Sequence, residues 1–405
     1  MNAESATSSQ DFYFNPWDPE FRANPYPHYR ALLTGPPRHV EQFFPIALVA
    51  RYADCRAVLK DHQRFSSVQP PMPVGFDENN PFKGAATVLF ADPPVHTRLR
   101  RLISRDFTPR RIREMEPRIK EIVEGLLARV EKEGSFDAIA DLATPLPVMV
   151  IAEMLGVPTE KYATFKSWSD AIVAGDNTLP GMPMPPELIE ARDALVSYFS
   201  EEIERRKREP GSDLVSALVA AHQESESLSA GELLNFVVLL LLAGNETTTN
   251  LIGNGMYALG RHPKQLAMLR RDRSLLPRAI EEMLRYDGPV QSTVRHPNEI
   301  VNVGGAEISP DTITFVILAA ANRDPAQWEE PEKFDITREP KDHLAFGEGI
   351  HFCIGAPLAR LEAAIAFGAV LDKFPTLRLK DPDVRPQYKG SFFLRGLESL
   401  PMSTD

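Results

Sequence analysis

Cys353 lies in Phe346-Gly347-Glu348-Gly349-Ile350-His351-Phe352-Cys353-Ile354-Gly355, a glycine-punctuated loop that ends where a helix is expected near Pro357. The glycines let the backbone turn sharply and approach a flat ligand, and Pro357 presets the first turn of an Ala- and Leu-rich helix running to about Lys373. A sulfur at that N-terminus faces unpaired backbone N–H groups and the positive end of the helix dipole, so it is favoured as thiolate. A lone cysteine is more often a small buried hydrophobe. The surroundings of this one argue for a ligand.

Three further groups could do chemistry. Ala243-Gly244-Asn245-Glu246-Thr247-Thr248-Thr249 stands in the middle of the longest helical pattern, Ser229 to about Gly260, which is apolar on most sides in its first half. Small residues followed by an acid and hydroxyls suit a purely structural buried helix poorly. Ser/Thr side chains bond back and bend helices, and Gly244 would let a ligand approach the backbone. After Asp92-Pro93-Pro94, His96 and Arg100 sit at i and i+4 and project from one helix face, a pattern that elsewhere is usually solvated charge. Glu282 and Arg285, at i and i+3 on a helix near Pro277 to Tyr286, can pair directly, although a surface pair is the usual explanation.

The spacing Phe-x-x-Gly-x-x-x-Cys-x-Gly resembles the haem-ligand loop of the cytochrome P450 family, and the other motifs follow in that family's order from the His96 helix to the C-terminus. The resemblance implies a mainly α fold with small β regions, formed as one domain over 1–405, with haem b held between the central helix and the helix after the Cys loop. It makes Cys353 the axial ligand of the haem iron, where a thiolate pushes electron density onto the metal and favours O–O cleavage. Phe346, Gly355, Ala243 and Gly244 would border the cofactor. His96, Arg100, Arg295 and His351 would donate to its propionates. Glu246 and Thr247 match the family's acid–Thr pair, which manages protons during oxygen activation. Glu282 and Arg285 match a brace behind the haem loop. A further Arg commonly joins it from the segment that here reads Pro331-Glu332-Lys333-Phe334; Lys333 lacks the planar fork, so the brace is weaker or built from another residue. Leu239, Leu242, Ala243, Gly244, Val290, Phe393 and Leu394 would line an apolar pocket, with plain core packing equally open for the phenylalanine.

The implied activity is that of a haem-thiolate monooxygenase, which activates O2 and inserts one atom into an apolar organic substrate by hydroxylation or epoxidation. The chain carries no convincing dinucleotide fingerprint, so electrons would come from NAD(P)H through a reductase and a ferredoxin or flavodoxin. Between Arg98 and Lys120 lie Arg98, Arg100, Arg101, Arg105, Arg110, Arg111, Arg113, Arg118 and Lys120, against only Asp106, Glu114 and Glu116. Such a run is usually a solvated face. Its functional alternative is a docking patch for an acidic electron carrier, which the resemblance puts on the cysteine side of the haem. A peroxide-driven peroxygenase is one rival, but that branch places a basic residue over the haem where Glu246-Thr247 stands. A non-catalytic haem sensor or carrier is another, and would need neither that pair nor the basic patch.

Composition agrees with a soluble protein, and a monomer is expected. A net charge of −11 argues against nucleic-acid binding. With only Cys55 and Cys353 there is no disulfide framework, which fits a reducing cytoplasm. The first ten residues read as a disordered tail with no secretion signal, and the longest apolar run, Phe236 to Ala243, is too short to cross a bilayer. Elsewhere the pattern predicts a hairpin at Arg38 to Phe43 and Ile46 to Val49, and helices at Tyr52 to Asp61, Arg111 to Glu133, Leu142 to Leu155 and Glu160 to Ala174. Strands are expected at Thr293 to Val303, Thr312 to Leu318, Phe392 to Leu394 and Leu397 to Leu400. The stretch Ser66 to Thr87, with Phe76, Phe82 and Phe90 in or beside it, reads as a lid, and Thr178 to Pro186 as an entrance flap.

Overall fold

A computed structural model describes residues 14–16, 18–41, 45–68, 86–105, 107–131, 133–174, 185–225, 228–339, 342–389, 391 and 393–405. The expected tail at 1–10, most of the lid including Phe76 and Phe82, and most of the flap lie outside these residues.

The central helix, Ala230–Arg261, is the axis of the molecule. Ser229 starts it with a capping box: its hydroxyl accepts from the Glu232 amide at 3.1 Å, and the Glu232 carboxylate accepts from the Ser229 amide at 2.8 Å. His262 ends it, and Pro263 opens the next helix, Pro263–Arg271. Its buried faces pack on helices Pro145–Met154, Pro186–Arg208, Leu276–Asp287 and Ala356–Lys373. Gly255 makes one of these crossings possible, since a Cβ there would lie 2.6 Å from Met283 Sδ and 2.7 Å from Phe367 Cζ. Among the described residues this is the one helix long and apolar enough to cross a membrane, and 78% of its apolar window is buried inside the protein. It is therefore a core helix whose apolar character extends well beyond Phe236 to Ala243.

Ten short strands occur among the described residues: β1 (Arg38–Glu41), β2 (Pro45–Val49), β3 (Phe65–Ser66), β4 (Ser135–Asp137), β5 (Thr293–Pro297), β6 (Val301–Val303), β7 (Ala306–Ile308), β8 (Ile313–Val316), β9 (Arg378–Leu379) and β10 (Pro401–Ser403). The main sheet has the order β1-β2-β8-β5-β3. The β1–β2 hairpin forms as expected, β2 runs parallel to β8, and β8 pairs antiparallel with β5 in a register that sets Arg295 opposite Thr314. That pairing aims Arg295 inward, where it is 7% exposed.

Several boundaries differ from expectation for local reasons. The helical run from Arg111 divides into Pro109–Glu114 and Glu116–Val130, because Pro117 occupies the first turn of the second helix. Asp137 caps a π-helical turn, Ala138–Ala143, before Pro145 starts the following helix. The strand expected through Val303 breaks into β5 and β6. Around Leu394 only an isolated bridge to Val290 forms, and the last strand is displaced to Pro401–Ser403. Helices Leu214–Ser225 and Pro263–Arg271 were not foreseen.

Candidate functional site

The cysteine loop is shaped by two left-handed glycines, Gly347 (φ +70°) and Gly349 (φ +74°). A Cβ at Gly349 would fall 2.5 Å from the Leu59 carbonyl oxygen, so no other residue fits. The Cys353 amide donates to the Phe346 carbonyl at 2.9 Å, and the Gly347 amide to that of Leu344 at 2.9 Å. Glu348 anchors the loop outward on Arg56 (2.7 Å) and Lys60 (3.0 Å). Gly355 is the N-cap of helix Ala356–Lys373, and the Gly355 and Ala356 N–H groups point at the Cys353 sulfur.

These amides, with Arg100 and Arg360, draw the thiol downward as the helix N-terminus predicts, but burial outweighs them and pushes it above its usual range. Residue 353 is nonetheless exposed by surface area. Protein surrounds the sulfur at some distance without covering it, which disfavours charge on the thiol and leaves it open to a partner. A coordinating metal cation reverses that balance outright.

Beside the loop, four cationic or donor side chains converge from three elements. His96 and Arg100 come from helix Val95–Ile103, Arg295 from β5, and His351 from the loop. The two imidazoles lie 4.3 Å apart, and the Nε2 atom of each is buried without a hydrogen-bond partner. Burial, reinforced by nearby cations, pushes His96 down to about 4 and His351 to about 3. Burial likewise brings Arg295 down to about 10. Arg100 donates to the Phe352 carbonyl at 2.5 Å. Asp92, the acid near this group, is engaged by Ser66 Oγ (2.5 Å) and the Ser67 amide (2.9 Å). Two arginines and two imidazole donors, of which His96 and Arg295 are buried and Arg100 and His351 half-buried, with two orphaned nitrogens among them, call for an anion. The two propionates of a haem whose iron meets the exposed sulfur fit this set.

On the central helix, Ala243 and Thr247 interrupt a mostly buried stretch with an uncovered face, and Thr247 Oγ1 donates back to the Ala243 carbonyl at 2.8 Å. Glu246 is buried, with its carboxylate 3.3 Å from Lys389 Nζ. Gly244, expected to open the backbone to a ligand, points instead at Ile151 of helix Pro145–Met154, where a Cβ would meet Cδ1 at an ordinary 3.6 Å. Leu239 is buried and Leu242 half-buried on the same helix, and the Val290–Leu394 bridge joins two further pocket candidates. Phe393 stacks on Phe315 at 6.0 Å, which is a packing contact.

Glu282 and Arg285 form a fully buried ion pair at 2.7 Å. Arg285 also donates to the carbonyls of Asn322 (2.9 Å), Pro331 (2.9 Å) and Lys333 (3.1 Å). The further arginine of the brace is Arg338, whose Nε lies 3.3 Å from Glu282 Oε2. Lys333 contributes its carbonyl while its ammonium faces outward to Glu330 and Asp335. Glu281 locks the neighbouring turn: Arg360 (2.6 Å) and His343 (3.0 Å) bind it and hold it at about 2 against the opposing effect of burial, while Arg360 lies 4.5 Å over the Phe346 ring.

Sequence reasoning missed Arg338, Lys389 and Glu362. Glu362, in the cysteine helix, is buried with one oxygen unpartnered, and burial pushes it well above the carboxylate range. Only Arg338 had a signal, an arginine a few residues past the segment where one was sought.

The family model for cytochrome P450 matches residues 42–400. The chain is 44% identical over 398 residues to the cytochrome P450 monooxygenase PikC of Streptomyces venezuelae, covering 95% of this chain and 92% of that one. It is 40% identical over 372 residues to the 6-deoxyerythronolide B hydroxylase of Saccharopolyspora erythraea, covering 88% and 90%. Among solved structures, the bacillaene polyketide synthase cytochrome P450 PksS of Bacillus subtilis superposes with a TM-score of 0.88 at 37% identity, covering 97% of this chain and all of that one. A fold built round the central helix, an open sulfur at a helix N-terminus and these relatives agree: the chain belongs to the cytochrome P450 family and is a haem-dependent monooxygenase.

Proposed function

We propose that Cys353 is the axial ligand of the haem iron, that His96, Arg100, Arg295 and His351 hold the propionates, and that Glu246 and Thr247 handle protons on the opposite side. Haem, when bound, supplies dioxygen activation and the transfer of one oxygen atom to substrate. The chain's own part is to orient and to move protons. The Gly355 and Ala356 N–H groups would steady the sulfur, and His96, Arg100, Arg295 and His351 would hold the propionates. Thr247 Oγ1, tethered to the Ala243 carbonyl, presents its hydroxyl on the uncovered helix face, and Glu246 takes protons behind it. Leu239, Leu242, Val290 and Leu394 form an apolar wall, which favours an apolar organic substrate. The whole chain acts as one domain and as a monomer.

Electrons arrive from a ferredoxin or flavodoxin. Many of the basic residues between 98 and 120 are paired: Arg98 with Glu232, Arg110 with Glu114, Arg118 with Glu121 and Glu153, Lys120 with Glu116. No acid among the described residues pairs with Arg101, Arg105 or Arg113, which are exposed. With the exposed Phe352 beside the cysteine, they form a basic face with an apolar centre suited to an acidic carrier.

The observation that carries this reading is the orphaned donor set next to an open sulfur. Its test is the reduced carbon-monoxide difference spectrum: the strongly red-shifted Soret band of thiolate-ligated ferrous haem is expected in the wild type and lost in Cys353→Ser. A variant that kept the band would remove Cys353 from the iron. Reversing Arg101 and Arg105 to Glu is expected to slow reduction by ferredoxin at least tenfold with substrate affinity unchanged.

A further inference from the structure

Glu246, Asn250 and Asn254 recur every four residues, so they share one face of the central helix. All three are buried, at 3%, 2% and 2% exposure. Asn254 Nδ2 donates to the carbonyls of Asp287 (3.1 Å) and Arg395 (3.0 Å). The Oδ1 atoms of Asn250 and Asn254, however, have no partner among the described residues. A buried amide oxygen left unpaired costs about 1–3 kcal/mol, and native proteins commonly meet such groups with internal water. Successive members of the stripe are about 6 Å apart along the axis, a gap that one bridging water at about 2.8 Å from each oxygen can span.

Lys389, Arg395 and Gly396 lie along the stripe. Lys389 Nζ reaches Glu246, a Cβ on Gly396 would fall 1.8 Å from Asn250 Oδ1, and the Arg395 carbonyl takes the Asn254 amide. At its far end the stripe meets a cleft of about 510 Å³ whose wall includes Tyr257, Asp287, Tyr388 and Arg395.

We propose that this stripe is a hydrated path along which protons pass from water in the cleft to Glu246. The idea rests on the assignment of Glu246 and Thr247 to proton handling. A proton enters from the cleft, moves through waters held by the Asn254 and Asn250 oxygens, and arrives on a Glu246 carboxylate oxygen. Glu246 then passes a proton toward Thr247 Oγ1. Lys389 positions the carboxylate at the inner end, and Gly396 is the narrowest point because any side chain there would strike Asn250.

The test compares the haem-loaded wild type with Asn250→Leu, close in shape but apolar, and Asn250→Ser, which keeps an oxygen and leaves room for water. High-resolution crystal structures are expected to show ordered water between Glu246 and Asn254 in the wild type and Asn250→Ser, and none in Asn250→Leu. During turnover, Asn250→Leu is expected to release several-fold more peroxide per reductant and to show a larger solvent deuterium isotope effect, with Asn250→Ser restoring both. A dry stripe in the wild type, or an Asn250→Leu enzyme that couples as well as wild type, overturns the path. Should Asn250→Leu fail to fold, Gly396→Ala is the second blocking variant, and the wild-type water structure decides even without either. Glu246→Gln separates the two ideas: unchanged coupling there defeats the assignment of Glu246 itself, whereas uncoupling there with Asn250→Leu unaffected defeats only the path.

Discussion

Behind the cysteine loop, Glu282 is met by Arg285 at 2.7 Å, by Arg338 at 3.3 Å and by the Asp335 amide at 2.9 Å. Beside the same loop, His96 and His351 carry orphaned nitrogens next to Arg295 and Arg100, with no acid among the described residues bound to any of the four. Both are polar clusters held largely inside the protein, yet their physics is opposite. The first closes on itself, so it has nothing left for a ligand and every member depends on the others. The second is held at a cost that only an anion from outside offsets. Satisfaction within the chain marks scaffold, and surplus of one sign marks site.

The harshest test of that division is Glu282→Gln. Removing one charge strands the Arg285 guanidinium in the interior, which costs about 3–5 kcal/mol. Urea unfolding of the haem-free protein should show that loss before any question of activity arises. A change under about 1 kcal/mol, the worth of an exposed pair, would erase the distinction from the scaffold side.

Arg295→Leu probes the other cluster, and its effect should change sign with haem. In the haem-free protein it removes a buried cation that lacks a counter-charge, so stability should hold or rise. In the loaded protein it removes a charged hydrogen bond worth about 1.5–3 kcal/mol, so haem should transfer to a scavenger protein roughly tenfold faster or more. Lower stability in both forms would make Arg295 part of the scaffold.

Acid should reach the clusters in different windows. His96 is held near 4 when folded, below its ordinary value of about 6.5. Its neutral form therefore supports the haem-free fold above about 6.5, and that support is lost as pH falls from there toward 4. Glu281 is held near 2, so its contribution is complete above about 4.3 and is lost between there and 2. Thermal melts of the haem-free protein should soften first in the upper window, and His96→Gln should shrink that step without abolishing it, because His351, held near 3, loses its support across the same range. Haem should suppress it, because a propionate favours the protonated imidazole.

Much of this arrangement was legible because it rests on local rules. The apolar pattern from Ser229 announces the central helix, Pro357 the cysteine helix, and the glycines the loop between Phe346 and Gly355. What stayed hidden depends on long-range contact. Lys389 reaches Glu246 across 143 residues of sequence, and nothing around Lys389 marks it as anything but a surface lysine. Glu362 sits where periodicity allows an exposed acid, and only tertiary packing buries it. The thiolate preference of Cys353 was read from the helix N-terminus alone, while the enclosing protein that opposes it could not be seen. Arg338 was missed because it lies in an irregular stretch, where spacing does not fix direction.

Arg338 also offers the mildest and sharpest check on the scaffold. Its Nε faces Glu282, its Nη1 donates to the Glu329 carbonyl at 2.8 Å and its Nη2 to that of Glu330 at 3.2 Å. Lysine has one nitrogen and cannot serve three directions, so Arg338→Lys keeps the charge and loses the fork, at a cost of about 1 kcal/mol. Arg338→Leu should cost more, since Glu282 then keeps only Arg285 and the Asp335 amide. Adding Lys333→Arg to Arg338→Leu tests whether the third place belongs to a position or to a direction. The Lys333 ammonium points outward to Glu330 and Asp335, so the new guanidinium should bind there and restore nothing. Full recovery in urea unfolding would mean that Glu282 accepts a second arginine from either residue, and that the path of the chain between Pro331 and Arg338 is less fixed than its hydrogen bonds imply.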